Sequence, residues 1–335
     1  MKNRILKFKG GAYIAAAASA VGKCEHEGPL GEYFDLFDPT DKFGMKTWEM
    51  AESEMQRLVF NTALAKLSVS EREVGALFAG DLLNQCVGSS YGLLDFDIPY
   101  FGLYGACSTA AEGLMLAAMC TSAGYFETAA AVTSSHFCSA ERQYRSPIEY
   151  GAQRSPTAQW TVTGAGAFML RREGVVRIAE ALPGIVVEKG INDASNMGAA
   201  MAPAAADTLM RYFELGGYSP EDFDLIVTGD LGREGSEILC ELLGTEGIDI
   251  KDRYNDCGLM IYDLKDQDKH SGGSGCGCSA AVFAAYLYPK LLSGELGDIL
   301  FVGTGAMMSP SSIQQGQAIP GVAHLLRIRC DGEIE

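Results

Sequence analysis

Cys107 follows Gly105 and Ala106 at the point where the chain turns into an apolar stretch with helical spacing. A thiol at the first turn of a buried helix meets unpaired backbone amides and the positive end of the helix dipole, so the position predicts a lowered pKa. That is the setting of a nucleophile or an anion-binding thiol; a cysteine filling a tight turn is the competing reading. A nucleophile needs a base, and the chain has four histidines, His26, His136, His270 and His324. His270, in Lys269-His270-Ser271-Gly272-Gly273-Ser274-Gly275, is the best placed to approach Cys107. His136 stands just past the predicted strand 128–133, on an edge where a cleft would open. A structural role competes for both. Asp81 ends a predicted strand in Gly80-Asp81-Leu82 and is a ligand group or a turn former. Asp230 takes the equivalent place later, so the pair reads as structural, with any special role left to Asp81. Arg142, Arg145 and Arg154 lie in a polar segment, 139–159, expected as a loop that shapes a site or is simply solvated.

The elements that must position these residues repeat. Residues 70–82, SEREVGALFAGDL, and 219–231, SPEDFDLIVTGDL, share a serine-acid opening, an apolar strand and a Gly-Asp-Leu ending. Helical spacing precedes each, over 48–67 and 200–215. A second pair follows in the same order. Gly105-Ala106-Cys107-Ser108-Thr109-Ala110-Ala111 opens a helix ending near Gly124 before the strand 128–133. Gly275-Cys276-Gly277-Cys278-Ser279-Ala280-Ala281 opens one ending near Gly294 before the strand 298–302. Two elements in one order imply duplication. Helices apolar nearly all round must be covered on every side, as in a layered α/β core. The halves are expected at 1–175 and 176–335, with an inserted loop at about 136–160 in the first.

Composition narrows the chemistry. The 335 residues carry a net charge of -17, which repels nucleic acid and anionic lipid, so any anionic ligand needs local basic groups, amides or a bridging cation. Ten scattered cysteines predict free thiols in a reducing compartment, and no C-x-x-C supports a zinc site. The basic start followed by apolar 13–21 imitates an export signal, but its alanine content predicts a first strand. No apolar stretch reaches the ~20 residues that span a bilayer. The acidic run 252–268 lacks the ligand spacing of an EF-hand, and Gly272-Gly273-Ser274-Gly275 lacks a phosphate-loop context.

The motif Gly-Ala-Cys-Ser-Thr-Ala-Ala at the first helix, with His-Ser-Gly-Gly-Ser-Gly before the second, resembles the thiolase superfamily, which includes the β-ketoacyl-carrier-protein synthases. Within it, GDLLNQ, YFGLYGACSTAAEG, SSHFCSAERQYRSP, NDCGLMIYD and HSGGSGCGCSAA resemble the stage V sporulation protein AD family. The resemblance implies a duplicated five-layer α-β-α-β-α fold, two mixed sheets around central helices. It implies Cys107 at the nucleophile position and His270 as the later motif's histidine. Phe301 stands where a thiolase has its second cysteine, which removes an acid-base partner for condensation. It further implies a non-enzymatic protein that binds dipicolinic acid, alone or as its calcium chelate, during uptake into the developing spore. The pocket residues expected are Asp81, Cys107, His136, Cys257 and His270, with Arg142 or Arg145 as anion donors. No metal of the protein's own and no cofactor is expected. A soluble cytoplasmic homodimer, held at the spore inner membrane by companion stage V sporulation membrane proteins, completes the expectation. An acyl-transferring enzyme using Cys107 is the alternative.

Overall fold

The computed structural model describes residues 5–144 and 154–332. Ten strands form two five-stranded halves with the same plan. In the first, β1 (Tyr13–Val21), β2 (Ala76–Gly80), β3 (Tyr100–Leu103), β4 (Thr128–Ser135) and β5 (Gly164–Arg171) lie in the order β3-β2-β4-β5-β1. In the second, β6 (Val176–Leu182), β7 (Leu225–Thr228), β8 (Tyr254–Asp256), β9 (Asp298–Ala306) and β10 (Gly321–Cys330) lie in the order β8-β7-β9-β10-β6. Each half pairs its first three strands in parallel and adds two antiparallel ones. The halves meet at a short seam, where Tyr13 and Ile14 of β1 pair with Arg177 and Val176 of β6.

The repeat read from sequence is present in atomic detail. Ser70 with Glu73, and Ser219 with Asp222, each close a capping box on the 3-10 turn that leads into β2 and β7. The first outer helix, Trp48–Leu67, starts on a Thr47 cap and ends on Ser68 in the left-handed region. Its counterpart, Met197–Gly216, starts on Asn196 and ends on Gly217. These helices cover β1 and β5 on one side and β9 and β10 on the other. Between the half-sheets run two central helices, giving five layers. The first is Thr109–Ser122. The second runs through Cys276–Val282, a π turn at Phe283–Leu287 and Tyr288–Leu292. The wide turn accommodates Pro289, which has no amide to donate.

Strands covered on both faces lose the polar alternation of a half-exposed sheet. The alanine run 13–21 is therefore β1, and it is buried throughout from Ala16 to Val21. The polar segment after His136 departs from the expected loop. It begins with a helix, Phe137–Tyr144, because Phe137, Ala140 and Tyr144 recur at helical spacing on one face and Phe137 stacks on Trp160 at 4.0 Å.

Candidate functional site

A cleft of about 380 Å³ opens between the halves over Cys107. Its floor is Ala106, Cys107, Ser274 and Ala306. Its walls come from Leu82, from Ala140, Glu141 and Tyr144, from Arg154 to Thr161, and from Ala194 to Met197 with Met308. Thus the helix 137–144, residues 154–161 and the approach to the second outer helix shape the site, while the turns that open the central helices supply its base.

Cys107 lies in a 3-10 turn, Ala106–Ser108, ahead of the first central helix. Ala106 holds φ at +52°, a conformation that costs an L-residue roughly 1–2 kcal/mol and sets the sharp turn. The expected thiolate setting is not what this turn builds. The Ser108 amide is already bonded to the Gly105 carbonyl at 3.2 Å, and the thiol is buried. Burial, and then the nearby Asp230 carboxyl, push the thiol pKa well above its ordinary value. Cys107 is accordingly a neutral thiol at pH 7. Alkylation by iodoacetamide at pH 7.5 is expected to label Cys138 or Cys330 well before Cys107, read by peptide mass spectrometry.

The groups beside the thiol are Ser274, whose Oγ lies 3.9 Å from Sγ, and Asp230 behind it. Asp230 lies two residues past the end of β7 and is wholly buried. Its Oδ2 accepts from the Ser274 hydroxyl at 3.1 Å and the Gly275 amide at 2.9 Å, and its Oδ1 from the Thr304 hydroxyl at 2.8 Å. Burial raises its pKa to about 7. Gln159 braces this wall, donating through Nε2 to the Asp230 carbonyl at 2.6 Å and the Gly273 carbonyl at 3.0 Å. Those two acceptors fix the amide's orientation, and its buried Oε1 has no hydrogen-bond partner among the described residues.

The sequence-named residues separate on this frame. Cys107 lines the cleft. Asp81 does not: its oxygens accept from the Leu83 amide at 2.8 Å, the Ser89 amide at 2.7 Å and the Ser89 hydroxyl, so it closes its own turn. Of the repeated aspartates, Asp81 thus keeps only a turn-closing role, while Asp230 lies behind Ser274 beneath the cleft floor. His136 is buried, with Nε2 donating to the Asp41 carbonyl at 2.8 Å and Nδ1 accepting from the Cys138 amide at 3.1 Å. Burial lowers its pKa, so it is a neutral structural histidine. His270 does not line the cleft; its Nδ1 is bonded to the Ser155 carbonyl at 2.7 Å and its Nε2 lies 3.2 Å from Asp268. It is not placed as a base for Cys107. Arg142 pairs with Glu49 at the surface, Cys257 packs in the core, and Arg145 lies outside the described residues. Phe301 is also corrected. It sits mid-strand in β9, packed on Phe283 at 4.9 Å, and the residue that β9 contributes to the cleft is Ala306.

Arg154 is the arginine in the cleft wall, its guanidinium 4.7 Å from the Trp160 ring and bonded to the Asp268 carbonyl at 2.6 Å. Sequence reasoning grouped it with Arg142 and Arg145 but did not select it. Asp230 and Ser274 were missed for a better reason: a repeated motif hides which copy faces the cleft. Among the described residues, no three Asp, Glu, His or Cys side chains converge to hold a metal ion.

Solved structures place this architecture among thiolase-like proteins. A variant of OleA from Xanthomonas campestris superimposes with a TM-score of 0.61 at 16% identity, over 97% of this chain and 100% of that one. The 3-oxoacyl-(acyl carrier protein) synthase III of Xanthomonas oryzae pv. oryzae gives 0.59 at 15%, over 94% and 98%. At such identities the likeness establishes the fold. Kinship is closer elsewhere. The family model of Stage V sporulation protein AD (SpoVAD) matches residues 2–329. Stage V sporulation protein AD of Bacillus subtilis (strain 168) is 41% identical over 318 residues, 95% of this chain and 94% of the relative. Identity this high over nearly the whole of both chains goes beyond a shared architecture: the chain belongs to the stage V sporulation protein AD family.

Proposed function

We propose that the cleft over Cys107 binds dipicolinic acid, as the free dicarboxylate or its calcium chelate, without covalent chemistry, and that the protein serves its uptake into the developing spore. The observation that carries this reading is a cleft of small-molecule size, about 380 Å³, lined by Arg154 and floored by a thiol held neutral. An arginine presents the planar fork that a carboxylate accepts. Acyl transfer is less well served, since among the described residues no histidine lines the cleft and Asp230 opposes the thiolate. No cofactor is invoked, and calcium enters as part of the ligand.

Among the described residues, no helix is long and apolar enough to cross a membrane. Placement at the spore inner membrane is therefore assigned to companion stage V sporulation membrane proteins. The homodimer is assigned to the free edge at β3, where Tyr100, Phe101 and Tyr104 are exposed beside unpaired strand backbone. Phe101→Asp is expected to convert the dimer to a monomer in sedimentation equilibrium, without loss of secondary structure.

Calorimetric titration with dipicolinic acid, with and without calcium, tests the ligand. One-site saturable binding is expected, and Arg154→Ala should weaken it roughly tenfold to hundredfold, the worth of a charge-assisted hydrogen bond of about 1.5–3 kcal/mol. A stable acyl adduct on Cys107 after incubation with acyl thioesters would overturn the purely binding role.

A further inference from the structure

A carboxyl lies directly beneath the cleft floor, behind Ser274, where it would repel an anion. Asp230 is wholly buried, and its partners there are hydroxyls, a thiol and an amide. Cys107 faces it from the turn before the first central helix, Cys276 and Cys278 from the second, and Asp256 and Cys257 from the end of β8. Glu141 and Arg154 stand in the cleft wall above. Of these only Arg154 is cationic. The link from Asp230 to the cleft is Ser274, whose Oγ both lines the floor and lies 3.1 Å from Oδ2.

We propose that the cleft takes its anionic ligand together with one proton, which lodges on Asp230 and turns the Ser274 hydroxyl from Asp230 towards the ligand. The inference rests on the reading of the cleft as an anion site. Without ligand, the Ser274 hydroxyl donates to Oδ2. When a carboxylate enters above Ser274, its charge meets that of Asp230 beneath, and the state of lower free energy protonates the buried group. A buffer acid or hydronium supplies the proton to Oδ2. The new Asp230 hydroxyl then donates to Ser274 Oγ across the same 3.1 Å, and the hydrogen of Ser274 is released to a ligand oxygen. No bond between heavy atoms forms or breaks. The Gly275 amide and the Thr304 hydroxyl continue to hold the carboxyl in place, so the exchange needs one hydroxyl rotation and no backbone movement. Asp230 also lies near its own midpoint before the ligand arrives, with a pKa raised to about 7 by burial, so a modest further push completes protonation near neutral pH.

Proton uptake is read directly by titrating the full chain with dipicolinate at pH 7.5 in Tris and in Hepes, whose ionisation heats differ. The expected result is an uptake of ~0.5–0.75 proton per ligand at that pH, and a Kd that rises by up to about tenfold per pH unit between pH 7 and 9. Asp230→Asn, which has no carboxyl to titrate, should bind with no proton uptake and a flat pH profile. Ser274→Ala keeps the carboxyl and serves if the first variant does not fold. It should weaken binding at pH 7 more than at pH 9. Saturable binding with equal heats in the two buffers overturns the proton while sparing the ligand, as does uptake that persists in Asp230→Asn. No saturable heat with the wild-type chain at any pH removes both readings.

Discussion

Glutamine in place of Glu52 is expected to raise the thermal midpoint at pH 8 and leave it nearly unchanged at pH 5. Glu52 leaves the first outer helix for a fully buried site, where its oxygens accept from the hydroxyls of Ser134 at 2.9 Å and Ser139 at 2.7 Å. Burial, reinforced by the Asp81 carboxylate, lifts its pKa from 4.5 to about 8. The folded protein therefore keeps a proton that the unfolded chain gives up above pH 4.5. Its contribution to stability is full below that value and is lost as pH rises through about 8, on the order of a few kcal/mol. Glu25 and Asp230, each raised to about 7, and Asp256, raised to about 6, act in the same sense. The wild-type protein should unfold at a higher temperature at pH 5 than at pH 8. Glutamine mimics the protonated acid, and Ser139 Oγ already has the His136 carbonyl as an alternative acceptor at 3.2 Å. Calorimetric melts of both proteins from pH 5 to 8.5 check this; parallel pH profiles would show that Glu52 carries no proton.

Alanine at Gly277 should cost about 3 kcal/mol or more, beyond the usual range of an overpacked core. A Cβ there would lie 2.1 Å from the Gly164 carbonyl oxygen and 2.6 Å from the Ser135 amide. Both are backbone atoms of the half-sheet against which the second central helix is pressed, so neither can swing aside. Gly244 offers the contrast within another helix, 232–245, because nothing lies within 4 Å of its would-be Cβ. Alanine at Gly244 should stabilise by up to about 1 kcal/mol through helix propensity. Urea unfolding of the two variants beside the wild type would expose the difference, and equal midpoints would show that the helix can retreat from the sheet.

The duplication, the outer helix at 48–67, the strand at 13–21 and the central helices were legible because each depends on local pattern: capping serines, helical spacing and runs of small apolar residues. The segment after His136 was misread as loop throughout because its charged residues, Glu141 and Arg142, outweigh a short apolar stripe. The site was legible only at Cys107, whose turn announces itself. His270 was attractive because it adjoins the glycine-rich turn in sequence, yet its φ of +49° and its bonds to Ser155 and Asp268 turn the ring elsewhere. Asp230 illustrates the general limit. Which of two equivalent aspartates lies against a cleft-lining group depends on what surrounds each strand end: Ser89 satisfies Asp81 locally, while Asp230 is met by Ser274, 44 positions away in sequence.

That asymmetry gives the two halves complementary possessions. The first half owns the thiol and the arginine, Cys107 and Arg154; the second owns the acid and its hydroxyl relay, Asp230 and Ser274. Neither half, however well it folded alone, would contain a finished cleft. The cleft's lining is shared between the halves, so a chain divided near residue 175 should recover the proposed ligand binding only when both fragments reassemble.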